Sequence, residues 1–538
     1  MKRKNLSLVM IVLVAVVAGL LLGNILAVRS FIGQGNSESL FRNFITTENK
    51  LQQILGLIEN EYVDSVDIED LTEQMSAEII AKLDPHSVYI PASDLEEANS
   101  ELEGSFTGIG VQFNIQNDTI MIISVIRGGP SEKVGLQAGD RIIMVDDSVF
   151  HGKGVNNEKV LNTLRGPIDT KVKLTVKRQN TRELLKYTIT RGHIPVNSID
   201  IGYMIEPGIG FIKVNKFGEN TYNEFLTAIA RLRNDGAKKY IIDLRENSGG
   251  YLDRAISMIN EFLPAKQLIV YTEGKSYPRS ESHSDGTGSC INNPVVILID
   301  EFSASASEIF AGAIQDNDRG LVIGRRSFGK GLVQQQRLLS DGSAIRLTVA
   351  RYYTPSGRSI QRPYIRGKSD EYNQDIWNRF IHGEFDNKDS IQLNDTVTYK
   401  TKSGRTVYGG GGIMPDIFVP RDTMAYTPWF NQVNNFAHLY QFSFFYIDKH
   451  REKLKQYKDW KKLQKHLDTQ DLKNQFVAYT ENKGIRAVPA EIAKSEKLML
   501  NRIKAYISRN ILGDDGFYPI LFQEDVTVLR ALEEIRRK

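Results

Sequence analysis

The chain opens on an apolar run. From Leu6 to Val28 only Ser7, Gly19, Gly23 and Asn24 interrupt a hydrophobic stretch of 23 residues, and Lys2, Arg3 and Lys4 stand in front of it. As a helix the run spans about 34 Å, enough for the ~30 Å hydrocarbon core of a bilayer. Ile25-Leu26-Ala27-Val28-Arg29 offers no small-x-small cleavage site, and no cysteine follows. Residues 1–30 therefore read as an uncleaved signal anchor and not as a removable signal peptide or a lipoprotein anchor. The basic tripeptide should stay cytoplasmic, which places residue 30 onward on the far side. The expectation is a single-pass protein of the inner membrane whose body faces the periplasmic, extracytoplasmic side.

Beyond the anchor the period changes three times. From Ser37 to about Glu103 it is helical: Leu40, Phe44, Leu51, Ile54, Leu55 and Ile58 recur at three- and four-residue spacings, as do Leu71, Met75, Ile79 and Leu83, until Pro85 stops the second helix. From Gly104 short β-rich runs alternate with glycine turns. Residues 120–126, 140–145 and 172–176 read as strands, with a helix near 156–164. Between about 195 and 420 strands (210–214, 240–244, 295–299, 321–323) alternate with helices (222–234, 252–262, and one beginning near Ala306). That alternation predicts an α/β layer with a largely parallel sheet. Asp341-Gly342 between two apolar-patterned runs reads as a hairpin. From Trp429 to the end the pattern is helical again. Eight basic residues between Lys449 and Lys465 read as a solvated helix face.

Composition narrows the function. A length of 538 residues with 41% hydrophobic and 25% charged residues is ordinary globular material for three or four units. A formal net charge of +3 gives no bulk positive field, so nucleic acid is not an expected partner. Cys290 is the only cysteine, which removes disulfide frameworks, zinc ribbons and Cys-x-x-Cys redox motifs. The eight histidines are scattered, without metal-ligand spacing.

Three stretches carry possible chemistry. Asn247-Ser248-Gly249-Gly250 looks like the nucleophile loop of chymotrypsin-like proteases, but it follows a strand in an α/β alternation, not a β-barrel. Gly324-Arg-Arg-Ser-Phe-Gly329-Lys330-Gly331 nearly fits a phosphate-binding loop, yet Gly331 stands where a hydroxyl should hold magnesium, and no helix start follows. Lastly, Ser303-Ala-Ser305-Ala-Ser307-Glu308 crowds small residues into a strand-to-helix turn. A serine there sits at the positive end of the helix dipole, where free N–H groups suit a nucleophile whose attack creates an oxyanion. Ser305 with Glu308 three positions on is equally a capping box, and local sequence leaves both readings open.

Ser303–Ile309 and Ser327-Phe-Gly-Lys330-Gly-Leu-Val-Gln334 together resemble the C-terminal processing peptidases, or tail-specific proteases. Leu83-Asp-Pro-His-Ser87, Gly108-Ile-Gly-Val111, Gly135-Leu-Gln-Ala-Gly-Asp140, Asp243–Gly250 and Gly411-Gly-Ile-Met-Pro-Asp416 extend the match in one order along the chain. The resemblance implies an α/β Ser-Lys peptidase core (194–420) with a mixed, largely parallel sheet and an inserted β-rich PDZ domain (104–193). An N-terminal helical segment (31–103) and a C-terminal helical region (421–538) complete the expected architecture.

By resemblance Ser305 is the nucleophile, Lys330 the general base and Gln334 its orienting partner. Ala306 and Gly249 or Gly250 supply the oxyanion donors. Gly108, Ile109, Gly110 and Val111 form the PDZ carboxylate loop, beside which a peptide would add as a strand. A lysine can take a serine's proton only when neutral, so burial must lower its pKa, and a neutral amide orients it without raising the pKa again. Positions four apart on a regular strand are separated by about 13 Å, so Lys330 meets Gln334 only if the chain bends or the lysine reaches. No metal or other cofactor is expected. The expected partners are protein or peptide substrates with free C-termini and, through the N-terminal helix, the membrane; assembly into a homo-oligomer is left open. The alternative reading is an inactive PDZ and peptidase-fold scaffold that only binds tails.

Overall fold

The computed structural model describes residues 50–538 apart from 117, 127, 179, 180 and 393–396. The predicted anchor (1–30) and the predicted helical positions before residue 50 lie outside the described residues. Among the described residues no helix is long and apolar enough to cross a membrane. The chain divides into two compact units, Met1–Ile79 and Ile80–Lys538. The described part of the first is helical, over 50–61 and from Ile68 in a helix that ends at Ala81.

The second unit opens with a correction to the all-helical reading of 31–103. Val88–Ile90 (β1) is a strand, paired antiparallel with Ala344–Arg346. Pro85 and Pro91 bracket it, and a residue before proline is pushed into extended backbone. A helix from Leu95 to Glu103 then closes on Gly104 in a left-handed C-cap, φ 76°.

The inserted block is a small β-domain. Ser105–Gly108 (β2) leads to Val111–Gln116 (β3), Thr119–Val125 (β4), Arg141–Val145 (β5), Ser148–Val149 (β6), Lys171–Lys177 (β7) and Leu185–Thr190 (β8), and Gly192–Pro195 (β9) pairs back on β2. The main sheet runs β3-β4-β5-β7-β8, which leaves β3 at an edge. Alternate residues of β4 and β7, with Ile142 and Val145 of β5, pack with Val160 and Leu164 of the helix Asn157–Leu164 into a core of their own.

The six-stranded central sheet runs Ile199–Glu206 (β10), Ile209–Val214 (β11), Lys239–Asp243 (β12), Val295–Ile299 (β15), Leu321–Gly324 (β16) and then Ile417–Phe418. Only the β10–β11 pair is antiparallel. Successive side chains on a strand point to opposite faces, and both faces here are covered. Ile212, Ile242 and Ile297 pack under Thr221–Asn234 (α1), Leu252–Asn260 (α2) and Ala306–Asp316 (α3). Phe211, Ile241, Val296 and Leu298 face the other way, onto Val528, Ala531, Leu532 and Ile535 of the last helix, Val526–Arg536 (α4).

A second, antiparallel sheet packs Leu268–Gly274 (β13), Tyr277–His283 (β14), Leu332–Leu338 (β17) and Ala344–Tyr353 (β18) with β1. β17 and β18 are the hairpin expected around Asp341-Gly342. The helices between Pro428 and Leu512 bury a separate cluster built on Trp429, Phe442, Phe476 and Met499. Within the predicted helical region 421–538, α4 leaves that cluster and packs on the six-stranded sheet. Lys449, Lys453, Lys455, Lys458, Lys461, Lys462 and Lys465 are exposed, as a solvated face requires, but the eighth basic residue, Arg451, is half-buried and donates to Ala138 O at 3.0 Å and to Asp448 Oδ1 at 3.1 Å.

Candidate active site

Parallel strands deliver their C-terminal ends to one edge, and the loops after β12 and β15 meet there. The first carries Asn247–Gly250 and the second Ser303–Ser305. Ala304 N donates to Asn247 O at 3.0 Å, and Ser307 Oγ to the same carbonyl at 2.9 Å, which staples the two loops. Ser305, Ala306, Gly249, Gly250, Lys330 and Gln334 all line one cleft of about 800 Å³.

Ser305 is the N-cap of α3, and the expected capping box is present. Its backbone is unusual for a cap: φ is 55° and ψ −113°, whereas capping serines normally sit in the β region. A non-glycine residue in such a conformation stores on the order of 1–3 kcal/mol and persists only where its surroundings impose it. They do so here. Ser305 N donates to Glu308 Oε2 at 2.9 Å, and the Tyr352 hydroxyl lies 3.1 Å from Ser305 O.

The same two groups hold Lys330. Its N–H donates to Glu308 Oε2 at 2.8 Å, and the Tyr352 hydroxyl donates to its carbonyl at 2.5 Å. Gly329 N donates to Glu308 Oε1 at 2.7 Å, and Ser327 Oγ donates to that oxygen too. Glu308 is fully buried, and burial pushes its carboxyl up to about 7 against the pull of these donors.

The Lys330 ammonium donates to Gln334 Oε1 at 2.9 Å. The 13 Å spacing of a regular strand is overcome because β17 starts only at Leu332 and its register breaks between Val333 and Gln334. The Gln334 amide is oriented from behind, its Nε2 donating to His86 O. A carbonyl can only accept, so Oε1 must face the lysine. Burial lowers the Lys330 pKa, the nearby Arg346 guanidinium lowers it further, and Asp84 and Glu308 oppose.

The stretch Leu83–Ser87, given no role from sequence, is what supplies that carbonyl. Asp84 accepts from His86 N and Ser87 N, both at 2.9 Å, and from Thr348 Oγ1 at 3.1 Å, pinning the turn to β18. Burial, the largest influence, pushes Asp84 up, but these donors and Ser87 Oγ hold it below the ordinary carboxylate value. The His86 ring faces Tyr372 at 2.9 Å, and burial and Lys330 drive its pKa to about 4. The side chain-to-backbone turn was readable in Asp-Pro-His-Ser; Tyr352 and Arg346 left no signal in the sequence.

Of the expected oxyanion donors, Gly249 drops out: its N–H is occupied by Asn247 Oδ1 at 2.8 Å. Ala306 N and Gly250 N have no acceptor among the described residues. Glycine is needed at both loop positions. A Cβ on Gly249 would stand 2.7 Å from Ser305 Cβ, and one on Gly250 2.2 Å from Phe217 O.

Two of the sequence decoys fail on geometry. Ser248 lines the cleft, but no histidine does. Gly331 runs into strand β17, so the stretch 324–331 has no helix N-terminus on which to seat a phosphate. In the small β-domain, Ile109 O and Gly110 O accept from Ser131 N and Ile126 N, both at 3.0 Å. The N–H groups of Ile109 and Gly110 have no acceptor among the described residues, and Val111 starts the edge strand β3.

Comparison with known proteins settles the family. The model described as Peptidase family S41 matches residues 208–368, and a PDZ domain model matches 107–189. A carboxy-terminal-processing protease of Bartonella bacilliformis is 34% identical over 351 residues, covering 64% of this chain and 79% of the relative. The chain belongs to the carboxy-terminal-processing proteases of family S41. It is a serine-type peptidase. A probable CtpA-like serine protease of Staphylococcus aureus is also 34% identical, over 322 residues, or 60% of this chain and 63% of that relative. The solved structure of a photosystem II D1 C-terminal processing protease is similar at 23% identity and a TM-score of 0.36, covering 70% of this chain and 87% of that one. A model described only as a family of unknown function matches this peptidase over 429–513.

Proposed function

We propose that this peptidase is a membrane-anchored, exported Ser-Lys endopeptidase that recognises protein C-terminal tails and cuts them. One observation carries the reading: a half-buried lysine, held by a neutral amide of fixed orientation, shares a cleft with a strained serine at a helix N-terminus. In this scheme neutral Lys330 takes the Ser305 Oγ proton as the serine attacks the scissile carbonyl. Ala306 N–H and Gly250 N–H stabilise the oxyanion, and the new Lys330 ammonium returns its proton to the leaving amine. Water then hydrolyses the acyl-enzyme by the same route. Gln334 keeps the amine aimed without a carboxylate's charge, which would raise its pKa and hold it protonated.

The small β-domain supports tail recognition. A peptide laid along edge strand β3 would bring its terminal carboxylate to the free N–H groups of Ile109 and Gly110, with Gly108 and Val111 framing the loop. The run Leu6–Val28 would tether the enzyme to the inner membrane, with the body on the extracytoplasmic side.

The test is cleavage of an unfolded protein with an apolar free C-terminus. Ser305→Ala and Lys330→Arg should both be inactive, the second because arginine stays protonated at any working pH. Ser248→Ala should retain substantial activity. Cleavage by Ser305→Ala would overturn the assignment, and tail binding without cleavage by the unaltered chain would leave only a scaffold.

A further inference from the structure

The last helix of the chain returns to the catalytic core, and the residue that caps it touches the loop of the proposed oxyanion donor. Asp525 is the N-cap of α4, its Oδ1 accepting from Thr527 N at 2.9 Å and Val528 N at 3.0 Å. The same carboxylate takes both oxygens to Arg245: Nη1 donates to Oδ2 at 2.8 Å and to Oδ1 at 3.0 Å. The guanidinium lies over the ring of Phe522, 5.7 Å from its centroid, so the tail holds it on two sides. Its remaining edge grips Asp243, with Nη2 to Oδ2 at 2.7 Å and Nε to Oδ1 at 2.9 Å.

Arg245 begins the loop that ends at Gly250. Lys213 Nζ donates to its carbonyl at 3.1 Å, and the next residue, Glu246, is held at φ 63° with its N–H on Asp300 Oδ1 at 2.9 Å. Asn247 follows, donating to Val214 O at 3.0 Å and holding Gly249 N. The far half of the loop is stapled to the serine turn, and the near half is held by Arg245 together with Asp300 and Val214 O. Lys213, Arg245, Asp243 and Asp525 form one linked cluster, with Asp200 near Lys213 and Asp300 near Arg245. Without Asp525, Arg245 keeps acidic neighbours but loses the partner that fixes its far side.

We propose that Asp525 is a positioning residue of the active site: through Arg245 it sets the loop that presents the Gly250 N–H, so the C-terminal segment is a working part of catalysis. This rests on the Ser305/Lys330 reading of the site. Asp525→Asn separates the clasp from the cap. The amide oxygen still caps α4, but its NH₂ meets the Arg245 donors and breaks the ion pair. Asp525→Ser also caps and is too short to reach Arg245. In the full chain both should lower kcat at least tenfold, as expected when an oxyanion donor is misplaced by a fraction of an ångström. KM should stay near that of the unaltered chain, and any fall in melting temperature should be too small to unfold the enzyme at the assay temperature. A peptide aldehyde, whose adduct with Ser305 puts an oxyanion in the same hole, should bind correspondingly more weakly. Arg245→Lys should behave alike, because an ammonium cannot bridge two carboxylates in fork geometry.

Unchanged kcat and aldehyde affinity in both Asp525 variants, with Ser305→Ala inactive, would overturn this inference and leave the site reading standing. Activity loss that merely tracks a fall in melting temperature, and returns on cooling, would make the contact structural only and overturn it too. Cleavage by Ser305→Ala would take both readings down.

Discussion

Glu308→Gln offers a quantitative test of how Ser305 and Lys330 are held together. Four donors converge on this carboxylate: Ser305 N and Lys330 N on Oε2, Gly329 N and Ser327 Oγ on Oε1. A glutamine keeps one acceptor oxygen. Turned toward Ser305 and Lys330, it presents NH₂ to the Ser327 hydroxyl, which can accept, and to Gly329 N, which cannot. One buried N–H without an acceptor costs about 1–3 kcal/mol. Against this stands relief from a buried charge. The Glu308 pKa rises from 4.5 to about 7, and at ~1.4 kcal/mol per unit this is roughly 3 kcal/mol once the group ionises.

The pH dependence follows from the direction of that shift. A folded pKa above the unfolded one gives stability that is full below 4.5 and lost as pH rises through about 7. Glutamine has no such loss. The melting temperature of Glu308→Gln should therefore lie below that of the unaltered chain at pH 5 and climb relative to it by pH 8. Glu308→Leu leaves three backbone N–H groups unpaired, ~3–9 kcal/mol against a typical domain stability of ~5–15 kcal/mol, and should fold poorly. Scanning calorimetry between pH 5 and 8 reads the first variant, and soluble yield the second. A difference flat with pH would mean that Glu308 carries no buried charge. A leucine variant as stable as the unaltered chain would dissolve the four-donor account.

Cleavage rate should rise with pH as Lys330 loses its proton, and Arg346→Gln, which removes a charge that helps hold that pKa down, should move the acidic limb of log(kcat/KM) upward. A limb that stays put would remove Lys330 as the titrating base. Gly250→Ala places a Cβ 2.2 Å from Phe217 O, so the loop must shift and kcat should fall by roughly 10²-fold or more; an unaltered kcat would put the oxyanion donor elsewhere. Amidating a substrate's C-terminus should weaken its binding at least about tenfold, since charge-assisted hydrogen bonds are worth roughly 1.5–3 kcal/mol each. Equal binding of acid and amide would end the role of the Ile109 and Gly110 N–H groups.

What could be read from the sequence was what repeats locally. The alternation from Gly210 to Ile323 produced the parallel strands and their helices because each segment is long and uniformly apolar on its buried side. The hairpin β13–β14 left no such trace. Its outer strand, Tyr277–His283, is almost wholly exposed, and the turn at Lys275-Ser276 lacks a glycine or asparagine. β1 was invisible for the opposite reason: three residues are too few for a period, and the partner lies more than 250 positions away. Ser305, Lys330 and Gln334 do converge, but what makes them converge was hidden. The register break before Gln334, the His86 carbonyl behind it and the Tyr352 hydroxyl between Ser305 and Lys330 are tertiary facts.

On the proposed mechanism, the cap reading of Ser305 and the nucleophile reading, both left open by local sequence, describe one device. A serine that only capped α3 would need no strain, because β-region backbone already lets its side chain reach the free N–H groups. Ser305 is held at φ 55°, ψ −113°, a conformation with a cost that capping does not repay. Glu308, the far half of the capping box, does not stop at the Ser305 N–H as a surface capping glutamate would. It is fully buried and carries on to the backbone of Gly329 and Lys330. The helix start has become the bracket that holds together, in one cleft, a serine and a lysine 25 positions apart in the chain. A strained strand-to-helix turn that lifts a serine out of its surroundings is the arrangement nucleophilic serines use on other α/β sheets. Here the strained turn and Lys330 are secured by the same carboxylate, so any change that releases one should release the other.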